Sequence, residues 1–170
     1  MSLSGGHPMA GSHESGIQAG RIDLFKDAYY FLIPTSGSRG IAELKDLLSG
    51  LNVNWYLIHA RQHDKIVAQL SHVPHVIATA LVAQSADTFK DHPELLTLAA
   101  GGFKSTTRIA KSDPTMWSAI MHNNRELIVH QLDEYLNELQ LLRQAIADDD
   151  QEKLFAVFLK AKADRERLDH

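Results

Sequence analysis

The sequence predicts a mainly α-helical protein in which a short α/β segment precedes an all-helical domain. Runs of aromatic and β-branched residues, which are typical of strands, occur only before residue 60. From residue 60 onward, apolar residues recur every three or four positions, as in amphipathic helices. Apolar residues make up 44% of the 170 residues, enough for a core. We therefore divide the chain into an α/β part, residues 1–59, and a helical part, residues 60–170.

The α/β part contains two strong strand patterns with a helix between them. Residues 27–33 (DAYYFLI) and 53–58 (VNWYLI) predict strands, and residues 41–48 place four apolar side chains on one helical face. Strand, helix and strand in succession are typical of an α/β sheet with a crossover. Because two strands cannot bury both of their faces, we expect the edge of a larger sheet, or a sheet completed by another copy.

The helical part predicts long helices that end at recognisable signals. Residues 60–89 read as one helix, which Pro74 is expected to kink or break. Residues 125–146 form an amphipathic helix, and Asp148 to Asp150 cap a last helix. Leu, Tyr and Phe side chains share a face of these last two helices, which is a candidate dimer surface.

Two segments, residues 5–12 and 101–117, combine glycine and proline with residues that carry charge or hydrogen bonds. We expect loops that carry a site in both places. Within the second segment, Ser112-Asp113-Pro114 is a helix start, since a capping side chain precedes proline at the first helical position. Asn123-Asn124 is expected to interrupt that helix.

Composition excludes several classes of protein. A net charge of −4 gives no electrostatic reason to expect nucleic acid binding. The absence of cysteine rules out disulfides and thiolate zinc sites. No uninterrupted apolar stretch approaches the roughly 20 residues of a membrane helix, and no signal pattern opens the chain. We expect a soluble, cytoplasmic protein without membrane contact, and we interpret residues 1–3 as an expression leader.

Several polar side chains are candidates for a site, and each also has an ordinary structural explanation. His7 lies in a glycine-proline turn, where a neutral imidazole could accept a proton. His72 and His75 share a helix with His63-Asp64, but no His-Glu-x-x-His pattern is present, so no metal is expected. Lys104 and Arg108, taken alone, fit a solvated helix turn. Trp117, taken alone, fits a core aromatic residue.

Taken together and in order, three motifs resemble the prephenate dehydrogenase family over essentially the whole chain from Gly5. They are GGHPMAGSHESG, the pair HD with SHVPH, and GGFKSTTRIAKSDPTMW. The resemblance implies a Rossmann domain followed by an all-helical dimerisation domain like the C-terminal domain of 6-phosphogluconate dehydrogenase, with the active site in the cleft between them. It also implies NAD-dependent oxidative decarboxylation of prephenate to 4-hydroxyphenylpyruvate in tyrosine biosynthesis, by a homodimer.

The resemblance also implies roles for individual residues. His7 would be the catalytic acceptor for the substrate hydroxyl, and the substrate-binding residues would be His75, Gly101, Arg108 and Trp117, with Trp117 closing the pocket from its own or the partner subunit. Structural or supporting roles would fall to His63, Asp64, His72 and Lys104.

The chain departs from the family pattern in three ways. It has no Gly-x-Gly-x-x-Gly fingerprint and lacks the family's active-site serine upstream of HPMAG, so we expect a truncated, catalytically incomplete fragment whose NAD is bound mainly by a missing domain. His13 followed by Glu14 stands where some relatives carry an acidic residue. Some relatives continue into a regulatory ACT domain, whereas this sequence ends at His170.

Alternative functions remain open at this point. Within the same class, the chain could belong to an arogenate or cyclohexadienyl dehydrogenase. The two substrates differ only in a side-chain carbonyl or amine, and few protein residues would contact that group. Outside it, the apolar stripe also fits a non-catalytic helical dimerisation module.

Overall fold

A computed structural model describes residues 4–11, 16–34 and 39–169 of the chain. The predicted fold class is confirmed: helices predominate, and a short three-stranded sheet lies near the N-terminus. The chain forms two compact units, Met1–Ile128 and Val129–His170, which are described separately. The division between residues 59 and 60 stays a prediction. The leader interpretation for residues 1–3 and the comparison at His13 and Glu14 fall outside the described residues.

The sheet has the order β1-β2-β3, with β1 spanning Ser4–Pro8, β2 Tyr29–Pro34 and β3 Asn54–Leu57. Strands β2 and β3 are parallel and are connected through helix α1, Arg39–Leu47, as the crossover pattern predicts. Strand β1 pairs antiparallel with β2. The loop predicted for residues 5–12 is therefore wrong over its first half, because pairing with the edge of β2 outweighs the low strand propensity of glycine and proline.

Glycine at position 6 permits this pairing. A Cβ built on Gly6 would lie 2.8 Å from the Tyr30 hydroxyl and 2.9 Å from the ring. The Tyr30 ring is itself packed against Trp55 of β3, with 4.9 Å between ring centroids. A side chain at position 6 would therefore push an already packed ring aside, so glycine at that position favours the pairing of β1 with β2.

The core of the first unit lies on one face of this sheet. Phe31 of β2 is buried with Ile58, and Val67 of the following helix completes the cluster. His7 and Phe31 are directly opposite each other across β1 and β2, so they share this face. The sheet thus holds His7 beside the helix that follows β3.

That helix runs from residue 60 to residue 88 in three parts: α2, Ala60–Val67, a π-helical turn, Ala68–His72, and α3, Val73–Thr88. The disturbance expected at Pro74 is therefore found, as a widened turn rather than a break. Proline donates no backbone hydrogen bond and its ring clashes with the carbonyl four residues earlier, and a π turn relieves that clash.

By length and composition alone, Ala60–Thr88 could also cross a membrane, since its most apolar 18-residue window has a mean hydropathy of 1.5. The sequence-based statement concerned uninterrupted apolar stretches, and polar residues such as His72, His75 and Gln84 interrupt this helix. Core helices of soluble proteins meet the same criteria, and this helix contributes Val67, Ala68, Val73 and Ala78 to the buried set.

The rest of the first unit is built from short helices. Helix α4 spans Gly101–Thr107, a 3-10 turn spans Arg108–Lys111, and helix α5 spans Pro114–Asn123. The loop predicted for residues 101–117 is therefore wrong: the glycine pair occupies the first turn of α4, where backbone N–H groups need no partner within the helix. The predicted start of α5 is confirmed, because the Asp113 carboxylate accepts a hydrogen bond from the Met116 backbone nitrogen at 2.8 Å.

Helix α6, Arg125–Ala147, begins directly after the predicted interruption at Asn124, and its C-terminal part belongs to the second unit. Helix α7, Gln151–Glu166, completes that unit, and the Asp150 carboxylate caps it by accepting from the Lys153 backbone nitrogen at 2.9 Å. Large apolar side chains remain exposed on both helices, among them Leu136, Leu139, Ile146, Phe155 and Phe158.

Candidate functional site

Most of the sequence-predicted site residues meet at one cavity of the first unit. The cavity has a volume of about 460 Å³, within the range of small-molecule sites. Strand β1, the π turn, α3, the 3-10 turn after α4, and α5 all contribute to it. Its lining includes six residues with polar or aromatic side chains: His7, His72, His75, Arg108, Ser112 and Trp117.

His7 contacts a residue 56 positions further along the chain. Its Nδ1 atom lies 2.8 Å from Nε2 of His63, and the two ring centroids are 5.1 Å apart. The Nδ1 atom of His63 in turn lies 2.9 Å from the Asp64 carboxylate. Partial burial of the ring, and then the nearby His63, lower the pKa of His7 below the usual value of histidine. His7 is therefore neutral at neutral pH and can accept a proton.

His75 is held in place by contacts on two sides. Its Nδ1 donates to the Ser71 carbonyl oxygen at 2.9 Å, and its ring stacks on the Trp117 indole with 3.4 Å between centroids. Burial lowers the pKa of His75, although the hydrogen bond to Ser71 opposes this change. The Ser112 hydroxyl lies 3.4 Å from Nε2 of the same ring. The structure thus presents His75 as a neutral, oriented ring at the cavity wall.

His72 links the cavity to a residue that sequence reasoning did not select. The Asn124 side-chain amide donates to the Asp64 carbonyl oxygen at 2.8 Å and lies 3.4 Å from Nδ1 of His72. Burial lowers the pKa of His72, with a further contribution from His75. Asn124 therefore connects the end of α5 to α2. Its sequence signal, an Asn pair between two helices, indicates only a helix boundary.

Arg108 begins the 3-10 turn that follows α4 and lines the same cavity as His7. Within residues 4–11, 16–34 and 39–169, no carboxylate lies within ion-pair distance of its guanidinium. A guanidinium without a protein counter-charge is suited to bind an anionic ligand.

Trp117 closes another side of the cavity within its own chain. Its indole Nε1 is buried and has no hydrogen-bond partner among the residues that the structure describes. An unpaired buried donor costs about 1 to 3 kcal/mol of stability. The unpaired indole N–H of Trp117 therefore does not stabilise the fold, and it is available to a ligand. A contribution of Trp117 to a partner subunit's site stays a prediction.

The structure does not bring every predicted residue to the cavity. Gly101 and Lys104 are exposed on α4 and are not among the described residues that line it. A Cβ built on Gly101 would meet no atom within 4 Å, so the first unit itself does not require glycine there. The proposed roles of both residues stay predictions. Among the described residues, no group of three His, Asp or Glu side chains could hold a metal ion.

The three cavity histidines predict how stability depends on pH. The pKa values of His7, His72 and His75 are lowered in the folded state, so below about pH 6.5 the unfolded chain binds more protons than the folded chain. We expect the free energy of unfolding in urea to fall as the pH is lowered from about 7.5 to about 5. The variant His75→Gln should reduce this dependence, whereas His92→Gln, at an exposed site outside the cavity, should not. A pH-independent free energy of unfolding would contradict the prediction.

Comparison with known proteins places the chain in a family context. A family model described as "Prephenate dehydrogenase, dimerization domain" matches residues 59–160, and one described as "Prephenate dehydrogenase, nucleotide-binding domain" matches residues 1–57. The prephenate dehydrogenase of Lactococcus lactis subsp. cremoris is 39% identical over 165 residues, which cover 97% of this chain and 45% of that protein. The chain therefore spans about half the length of this curated relative.

Solved structures share the fold, among them two dehydrogenases. Prephenate dehydrogenase from A. aeolicus, in complex with hydroxyphenyl propionate and NAD+, is 30% identical with a TM-score of 0.86 and covers 97% of this chain, which spans 58% of it. Arogenate dehydrogenase from Synechocystis is 29% identical with a TM-score of 0.83, and the shared region covers 98% of this chain and 61% of that one.

Proposed function

Since the chain belongs to the prephenate dehydrogenase family, which serves tyrosine biosynthesis, we propose that it forms the substrate side of an NAD-dependent prephenate dehydrogenase. The reaction is the oxidative decarboxylation of prephenate to 4-hydroxyphenylpyruvate. The observation that supports this proposal most directly is one cavity that joins a neutral histidine, His7, with the guanidinium of Arg108, which has no ion-pair partner among the described residues.

The chemistry of prephenate matches these two groups. The hydride leaves the ring carbon that bears the 4-hydroxyl, so an acceptor for that hydroxyl proton stabilises the developing carbonyl. His7 is suited to this task because it is neutral. The substrate carries two carboxylates, and Arg108 supplies a planar fork of donors for one of them. His75 and Trp117 form the wall against which the ring would lie.

Loss of carbon dioxide needs no further catalytic group from this chain. When the hydride has left, the electron pair of the breaking carbon–carboxylate bond enters the ring, which becomes aromatic. The same electron pair converts the ring carbonyl into the phenolic oxygen, to which His7 returns the proton. Substrate and NAD+ thus give 4-hydroxyphenylpyruvate, carbon dioxide and NADH, with no net proton released.

NAD would supply the hydride acceptor, and the nucleotide-binding family model matches only residues 1–57 of this chain. The sequence contains no Gly-x-Gly-x-x-Gly, the fingerprint that holds a dinucleotide pyrophosphate at a helix N-terminus. We assign NAD binding mainly to the part of the relatives' nucleotide-binding domain that this chain does not span. Turnover is therefore expected from the full-length enzyme and not from these residues alone.

Assembly and location follow from the same family. We propose a cytoplasmic homodimer formed through the helical part, because the matching family domain is a dimerization domain. The exposed apolar side chains of α6 and α7 support this, since a monomer would leave them in water.

Arogenate is the alternative substrate, favoured by the similarity to the Synechocystis arogenate dehydrogenase. The two substrates differ at the side chain, where a ketone is replaced by an amine. Calorimetric titration of the chain with prephenate and with arogenate tests both, and we expect the tighter binding with prephenate. Turnover of the two substrates by the full-length enzyme then assigns the activity. No binding of either ligand would overturn the preformed substrate site and leave a helical dimerisation module.

A further inference from the structure

Behind His7, two hydrogen bonds lead from the cavity to the protein surface. The first joins Nδ1 of His7 to Nε2 of His63 at 2.8 Å, and the second joins Nδ1 of His63 to the Asp64 carboxylate at 2.9 Å. The His63 side chain is 13% exposed and the Asp64 side chain is 50% exposed. The chain of contacts therefore ends at a carboxylate that water can keep ionised.

The Asp64 carboxylate, at which these hydrogen bonds end, determines their direction. An ionised carboxylate only accepts, so Nδ1 of His63 must carry the hydrogen that Asp64 receives. In a neutral His63 this leaves Nε2 without a hydrogen, and Nε2 can then only accept. The hydrogen between the two rings consequently belongs to Nδ1 of His7. Nε2 of His7, for which no described residue is a hydrogen-bond partner, keeps its lone pair.

We propose that His63 and Asp64 are positioning residues that hold His7 as the Nδ1–H tautomer, which makes Nε2 the acceptor for a substrate hydroxyl in the cavity. Only the identity of that hydroxyl rests on the function proposed above. An isolated neutral imidazole exchanges between two tautomers, and only one of them can accept through Nε2. The carboxylate removes this ambiguity through the intervening ring.

Neighbouring groups hold the three residues in line. The Phe31 ring packs edge-on against both imidazoles, with centroid distances of 6.4 Å to His7 and 5.6 Å to His63. The Asn124 amide donates to the Asp64 carbonyl oxygen at 2.8 Å, which anchors the helical turn that carries both Asp64 and His63. The alignment thus depends on β2, α2 and the end of α5 together.

Uptake of one proton reverses the arrangement. If His63 becomes an imidazolium, its Nε2 donates to Nδ1 of His7, and His7 then carries its hydrogen on Nε2 and cannot accept from a substrate. Among the described residues, the charged or titratable groups that contact this pair or line the same cavity are Asp64, His72, His75 and Arg108. The loss of acceptor function on protonation is therefore a property of the His7–His63 pair.

The tautomer is measurable in the chain as it is, without substrate or NAD. Long-range proton–nitrogen NMR distinguishes protonated from unprotonated ring nitrogens, and we expect His7 to show a protonated Nδ1 and an unprotonated Nε2. In Asp64→Asn, whose amide can donate to His63 instead, and in His63→Leu, His7 should become a mixture of tautomers. His63→Gln, which can place an oxygen near the position of Nε2, should restore the Nδ1–H form.

The exposed pair His92 and Glu94 provides a matched control, because Nδ1 of His92 lies 3.2 Å from the Glu94 carboxylate outside the cavity. Glu94→Gln should leave the His7 tautomer unchanged. A protonated Nε2 on His7 in the wild type would overturn the proposal, and so would an unchanged tautomer in both Asp64→Asn and His63→Leu with circular dichroism like that of the wild type.

In the full-length enzyme, Asp64→Asn should lower kcat about 100-fold, the lower end of what acid–base catalysis contributes, with little change in KM. The acid limb of the pH profile should move, and Asp64→Glu should recover much of the loss. An enzyme with the expected tautomer but no prephenate turnover would count against the proposed function alone. Equal losses in kcat for Asp64→Asn and Asp64→Glu would count against the positioning role.

Discussion

Replacing His7 with asparagine in the full-length enzyme should lower kcat by about 10²- to 10⁴-fold, the range that a positioned acid or base contributes. The KM for prephenate should change little. Asparagine can keep a donor near the position of Nδ1, toward His63, but it has no atom near Nε2, so the acceptor for the hydroxyl is lost while the fold is kept. Steady-state kinetics with saturating NAD measure both constants.

The control for this variant is His92→Asn, which changes an exposed histidine outside the cavity and should leave kcat unchanged. The comparison of kcat with KM decides the role of His7. A loss expressed equally in binding and turnover would mean that His7 holds the substrate in the ground state and does not assist the departure of the hydride.

Arg108 is exposed at the cavity, and replacing it with alanine should weaken prephenate binding by about 1.5 to 3 kcal/mol, or roughly 10- to 150-fold. Among the described residues that line the cavity, Arg108 is the one lysine or arginine, and without its guanidinium a carboxylate there would lose a charge-assisted hydrogen-bond partner. Calorimetric titration of the chain with prephenate measures this loss directly, and KM in the full-length enzyme provides a second measurement.

Two further variants separate charge from geometry. Arg108→Lys keeps the charge but loses the planar fork, so its affinity should lie between those of the wild type and Arg108→Ala. Lys111→Ala removes a cation from the same 3-10 turn but outside the described cavity lining, and it should bind prephenate like the wild type. Equal affinities for Arg108→Ala and Lys111→Ala would show that only net charge matters.

The elements that the sequence predicts well are those whose signals are local. The strands β2 and β3, the long helix from residue 60, the start of α5 and the cap of α7 all follow from side chains within a few residues of one another. Strand β1 and helix α4 were missed because their glycines carry a loop signal. Pairing with β2 determines β1, and the short span of α4 places both glycines in its first turn.

The site shows the same division. The family resemblance selected His7, His75, Arg108 and Trp117, and the structure places all four around one cavity. It could not reveal the bond between His7 and His63, which joins residues 56 positions apart, or the reach of Asn124 to Asp64 across 60 positions. Gly101 carries a family motif but lies outside the described lining of that cavity.

By itself, the sequence determined the class of the protein, its family and the identity of the reactive side chains, because residue types and their spacing specify local structure and available chemistry. Only the tertiary structure decided which of those side chains touch. The sheet brings His7 and Phe31 to the face on which α2 packs, and the π turn before Pro74 sets where His72 and His75 lie. A histidine's tautomer depends on the partner of its other nitrogen, and that partner comes from a distant part of the chain.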